Sequence, residues 1–307
     1  MFAQTGVQLQ FSREFQDFVP RLFQILIRAL GKAGAAPVEI EVLLRHGTLS
    51  DPAFHLPDFL LPTVSPVLKN LKKLYLAAAV GPRQSTFIHG NGVSSMKHHG
   101  SLLGRFLNHT PNLTHLRLNL QHHQFENNTA FLIWLSITKS EDGGPAPIDL
   151  PHLKSLEFGQ FEVEPSNILG VVEKFAPTLR ELSLWRLELS DRRGVQRHDI
   201  KPNRWAGLFA NLVKLPQLRL NFLKIGWLKQ DHQKVNFKAA GREDAPLEGI
   251  REYSGPKMNA YLQDLIDETI VQWPAEIEVL SDDEDDENGM DVDDDGEVED
   301  GNEDDED

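Results

Sequence analysis

The chain of 307 residues carries 46 acidic against 31 basic side chains, a formal charge of −15, and no cysteine. Eighteen of the acidic residues and none of the basic ones lie within 281–307, so the rest holds 28 against 31 and is nearly neutral at +3. This composition excludes a disulfide scaffold, a thiolate metal site and a cysteine nucleophile, and leaves ample length for a large core.

Residues 1–10 lack a basic stretch followed by an apolar one, and no run of 18 apolar residues occurs, so neither secretion nor membrane insertion is expected. The expected location is intracellular, in cytoplasm or nucleus. From Phe15 to Leu30 apolar residues fall at 15, 18, 19, 22, 23, 26, 27 and 30, which predicts an amphipathic helix with Ser12 as its N-cap and Gly31 at its end. Val38, Ile40, Val42 and Leu44 then alternate with Glu39 and Glu41, the period of a half-buried strand.

Five leucine triads follow. Three carry a leading proline: Pro111/Leu113/Leu116/Leu118, Pro151/Leu153/Leu156/Phe158 and Pro177/Leu179/Leu182/Leu184. Two are looser, Leu71/Leu74/Leu76 and Leu220/Leu223/Ile225, so the triads start at 71, 113, 153, 179 and 220. Such spacing marks stacked supersecondary units, each unable to bury its own apolar face. Apolar stretches precede the triads, as at Ile168–Phe175 and Trp205–Leu212. The reading is a repeated helix-then-strand unit with parallel strands. The prolines remove a backbone donor and favour extended chain just where a helix has ended.

Gly81–Gly100, Ser140–Pro147 and Ser190–Pro202 are expected as loops inserted on the rim. Lys234–Lys238 predicts a last strand. Met258, Tyr261, Leu262, Leu265, Ile266 and Trp273 predict a closing helix that seals the stack. Residues 1–275 are expected as the folded body and 276–307 as a disordered acidic tail, whose charges repel and whose apolar content is too low to offset chain entropy.

The helix–strand opening, the segment from Val67 to Leu76, the repeat from Ala176 to Leu184 and Tyr253-Ser254-Gly255 together resemble the leucine-rich-repeat part of fungal F-box-type proteins. These are irregular relatives of the ribonuclease-inhibitor-like horseshoes. The resemblance covers roughly residues 13–275. It implies an α/β solenoid, with a parallel sheet on the concave face and helices on the convex face. It also implies a protein-binding module of the ubiquitin-ligase pathway, in which the repeats hold a substrate and a preceding F-box docks a Skp1-type adaptor. No F-box is recognisable here, so that adaptor is expected only if one lies upstream in a longer product. The asparagine that follows such triads in the family is also missing, Leu187 standing in its place in the fourth repeat.

Seven of the twelve histidines lie between His89 and His123, but their spacing is irregular and no cysteine or paired carboxylate completes a metal set. No phosphate-binding glycine motif and no serine elbow occurs. Enzymatic activity, a cofactor and a metal are therefore not expected. Arg192, Arg193, Arg197, Lys201 and Arg204 cluster, yet a body charge of +3 without interleaved aromatics argues against nucleic acid.

Strand alternation turns the leucines to one side and the intervening residues to the other. The outward, concave face is thus expected to carry Lys73, Tyr75, His115, Arg117, Ser155, Glu157, Glu181, Ser183, Trp185, Phe222 and Lys224, and to bind a protein partner of unknown identity. Trp185 and Arg117 lead, as residue types that anchor interfaces. Trp185 is read equally as an exposed anchor or as a core side chain under the following loop. A second reading gives the function to the acidic tail, as a histone-binding, basic-protein-binding or chaperone-like element.

Overall fold

The computed structural model describes residues 13–44, 47–81, 101–121, 124–139, 147–190, 202–238 and 246–274, with side chains from residue 18 onward. The chain divides into two units, 1–273 and 274–307. The predicted tail, and most of the predicted rim loops, lie outside the described residues.

The fold is mixed α/β with a mostly parallel sheet and, among the described residues, seven helices. Helix α1 (Arg13–Lys32) ends where Gly34 turns left-handed at φ 64°. Strand β1 (Glu39–Val42), the short β2 (Leu49–Ser50) and 3-10 turns at Asp51–Phe54 and Asp58–Leu60 follow. Each later unit passes from helix to strand. Helix α2 (Leu61–Asn70) leads to β3 (Lys73–Ala79), and α3 (Leu102–Leu107) leads to β4 (His115–Leu120). Helix α4 (Phe125–Ser136) leads to β5 (Ser155–Gly159) and β6 (Glu162–Val163), and α5 (Pro165–Phe175) to β7 (Glu181–Trp185) and β8 (Glu188–Leu189). Helix α6 (Arg204–Val213) leads to β9 (Phe222–Gly226), β10 (Lys229–Gln230) and β11 (Gln233–Phe237). Strand β12 (Ile250–Ser254), helix α7 (Met258–Glu268) and β13 (Thr269–Val271) close the unit.

The main sheet runs β1-β3-β4-β5-β7-β9-β12, parallel throughout except for the antiparallel β12 at its edge. All fifteen triad side chains are buried, none more than 7 % exposed; strand alternation aims the last two of each triad at the helices, and the first lies just ahead of the strand. Successive units are joined by one repeated device. Thr114 and His115 both donate their backbone N–H to Lys72 O at 2.8 and 3.0 Å. Lys154 and Ser155 do the same to Thr114 O, Arg180 and Glu181 to Lys154 O, and Asn221 and Phe222 to Arg180 O. Backbone donors freed at the start of each strand are thereby satisfied by the previous unit.

A second sheet, β13-β11-β10-β8-β6, has no counterpart in the expectations above, and Lys234–Lys238, predicted as a last strand, belongs to it as β11. It arises from a repeat longer than the leucine triad. Gln160, Arg186 and Trp227, two residues past the last triad position, take φ 70°, 54° and 54°. The next residue, Phe161, Leu187 or Leu228, then turns into the core at no more than 2 % exposure. An apolar side chain with a left-handed residue before it therefore marks this position in three units.

Two other expectations need correction. The helix forms as expected, but its apolar stripe splits: Val19, Phe23, Ile27 and Leu30 pack inward, whereas Phe18, Leu22 and Leu26 are 45–57 % exposed. One helix face touches α2 and the Asp51 turn, and a stripe that broad cannot turn entirely to one side. The closing helix is α7, with Met258, Leu262 and Leu265 buried, but Trp273 lies beyond it, past β13.

Candidate functional site

Register places the expected face residues in lateral rows. One runs Glu39, Lys73, His115, Ser155, Glu181, Phe222, Ser254; the next runs Glu41, Tyr75, Arg117, Glu157, Ser183, Lys224, Glu252. A third contains Asn119, Gly159, Trp185 and Gly226. All the named candidates therefore share the sheet face opposite the leucines.

The cations of this face are paired across strands. Arg117 Nε donates to Glu157 at 2.8 Å, with Glu41 at 3.7 Å, and its guanidinium lies 4.8 Å from the centre of the Tyr75 ring. Burial opposes the Arg117 charge, but the hydrogen bond and the charge of Glu157 more than offset it, so its pKa rises. Burial raises the Tyr75 pKa. Lys73 sits 3.2 Å from Glu39, whose hydrogen bond lifts the ammonium pKa. Lys224 bonds Glu252 at 2.9 Å and lies 5.7 Å from the Trp185 ring. Glu181 is the carboxylate of these rows left without an ion pair among the described residues.

Trp185 is neither fully exposed nor core. It lies half-buried across Gly226, where an added Cβ would come within 2.4 Å of its ring. Asn119 crosses Gly159 likewise, its Oδ1 2.5 Å from an added Cβ. Two glycines thus let side chains from neighbouring strands lie flat. The hollow between Arg117, Glu157, Glu181, Trp185, Phe222 and Lys224 measures about 490 Å³.

A larger cavity of about 1020 Å³ opens beyond the C-terminal ends of β4, β5, β7 and β9, and it shares Gln160 with the hollow on the face. The left-handed residues Gln160, Arg186 and Trp227 line it, Trp227 being 57 % exposed, above the buried Leu228 and Val235. Sequence reading missed this site, whose signal is the recurrence of an apolar residue three places after the last triad position. At its side Asp231 and His232, at φ 47° and 66°, form the two-residue turn between β10 and β11. Buried Glu188 accepts from the His232 N–H and lies 2.7 Å from its Nδ1, while Asp231 pairs with Arg204. Arg204 thus belongs to α6 and an ion pair. The other four basic residues of that cluster lie outside the described residues.

The contact of Glu188 with His232 ties the β10–β11 turn to β8. No group of three or more His, Asp or Glu among the described residues suits a metal. His109 and His115 are the described members of the histidine-rich stretch. Burial lowers the His109 pKa, and His115 Nδ1 lies 2.8 Å from Thr114 Oγ1. Among the described residues no helix is long and apolar enough to cross a membrane. No protein-family model matches the chain, and no curated protein matches it as a relative.

Proposed function

We propose that this chain is a protein-binding module, a leucine-rich-repeat-like solenoid kin to the repeats of F-box-type receptors, with the open sheet face as its working surface. The helix-to-strand succession, the sequential strand order and the repeated pairs of N–H groups on one carbonyl support the solenoid reading. One observation carries the functional reading. The face opposite the helices has no covering element among the described residues, and it holds Trp185, Phe222 and Arg117 half-exposed around a shaped hollow, with Tyr75 beside Arg117. Binding rather than catalysis fits a surface whose cations are already neutralised by neighbours. The partner that suits it presents a basic side chain to the unpaired Glu181 beside an apolar group for Trp185 and Phe222.

A photo-crosslinking amino acid placed at Phe222 tests the reading. The expected result is a discrete crosslinked protein, absent when the same probe replaces the helix-side residue Lys174. Equal crosslinking from both positions would reject the face as the binding surface.

A further inference from the structure

The charges of the two hollows are handled in opposite ways. On the sheet face each of Lys73, Arg117 and Lys224 has a carboxylate partner. Around the larger cavity Arg186, Lys229 and Lys234 have none among the described residues. Lys229 and Lys234 are moreover Cα partners on β10 and β11, so two like charges face each other directly across a strand pair. Such an arrangement costs stability unless an anion is shared between them. Glu188, the next residue of that row, is buried, and its Oε1 accepts from the His232 N–H. The cavity is also lined by three non-glycine residues in left-handed conformations, Gln160, Arg186 and Trp227.

We propose that this cavity is a second binding site, which takes an acidic polypeptide segment with its carboxylates on Arg186, Lys229 and Lys234. One bulky aliphatic side chain of that segment sits between Trp227 and the floor of Leu228 and Val235. The apolar floor favours a polypeptide over a nucleic acid, which has no aliphatic side chain to fill it. Arg186, Lys229, Lys234 and Trp227 are distinct from the residues of the sheet face, so either site can fail alone.

The test is fluorescence anisotropy on the full chain, with a labelled peptide of Asp and Glu flanking one central Leu and a twin carrying Asn and Gln instead. The acidic peptide binds saturably and more weakly as salt rises; the twin does not bind. Joint substitution Arg186→Gln, Lys229→Gln and Lys234→Gln weakens binding at least about tenfold with an unchanged melting temperature. Trp227→Gly, which also relieves the left-handed strain, weakens binding without lowering the melting temperature, and Arg117→Gln on the sheet face has no effect. Should the triple variant melt lower, Lys229→Arg with Lys234→Arg decides, since charge-conserving changes keep the affinity. No saturable binding, or binding indifferent to the triple change, overturns the proposal. Equal binding of a single-stranded oligonucleotide of matched charge overturns the choice of polypeptide.

Discussion

Single residues explain the shape of the face. Trp185 can lie flat only because position 226 has no side chain, so Gly226→Ala should force the ring off Lys224. The expected cost is about 1–3 kcal/mol, as for other overpacked sites. Denaturant titration would measure it, with a partner affinity reduced as by Trp185→Ala. Arg186→Gly should do the reverse for stability. Removing about 1–2 kcal/mol of left-handed strain outweighs part or all of the extra chain freedom of glycine, and the urea midpoint should hold or rise. Lys174 is a third case. Burial pushes its pKa down to about 8, although Asp149 pulls the other way, and its Nζ donates to Leu135 O at 2.9 Å. Between that value and the ordinary 10.5 the unfolded chain holds a proton that the folded one has lost, so this residue makes stability increase with pH across that window. Below about 8 both states are charged and the full burial cost remains. Amine labelling of Lys174 should show a midpoint near pH 8; a midpoint at the ordinary lysine value would contradict the burial of its ammonium.

At the scale of elements, the strands differ in how visibly they were written. The five triads were legible because leucine at period 2 within a recurring unit has one reading, and each of those side chains is buried. Leu182→Asp would put an unpaired charge at a fully buried position and should cost several kcal/mol, roughly the penalty for a charge buried without a partner. A soluble variant with an unshifted melting temperature would refute the register. The second sheet was not legible, because strands of two residues such as Glu162–Val163 or Glu188–Leu189 are too short to show a period. Its left-handed hinges are Gln, Arg and Trp rather than glycine, so no turn signal marks them. Long-range capping is likewise invisible in sequence: Asp51 accepts from Ser101 Oγ at 2.5 Å and from the N–H groups of Leu102 and Leu103 at 2.9 and 3.1 Å. Burial raises its pKa against those hydrogen bonds, yet the start of α3 depends on it. Asp51→Ala should cost about 1–2 kcal/mol, the usual loss on removing a helix cap, read from thermal or urea unfolding.

For the whole molecule, charge distribution separates the surfaces. The face rows were predicted from alternation alone and emerge in register, but which of their charges are already satisfied could be learned only from neighbours forty residues apart. The cavity at the strand ends needed the second sheet to exist and so was out of reach. The open sheet face is the surface we propose for partner binding. Its most direct test is capture of binding partners by wild-type protein, Trp185→Ala and Arg117→Ala at about 0.5 M salt, where a Debye length of about 4 Å leaves only close contacts. We predict partners retained by the wild type and lost, by roughly thirtyfold in affinity, with either substitution at an unchanged melting temperature. Partners that vanish in salt and ignore both substitutions would contradict it.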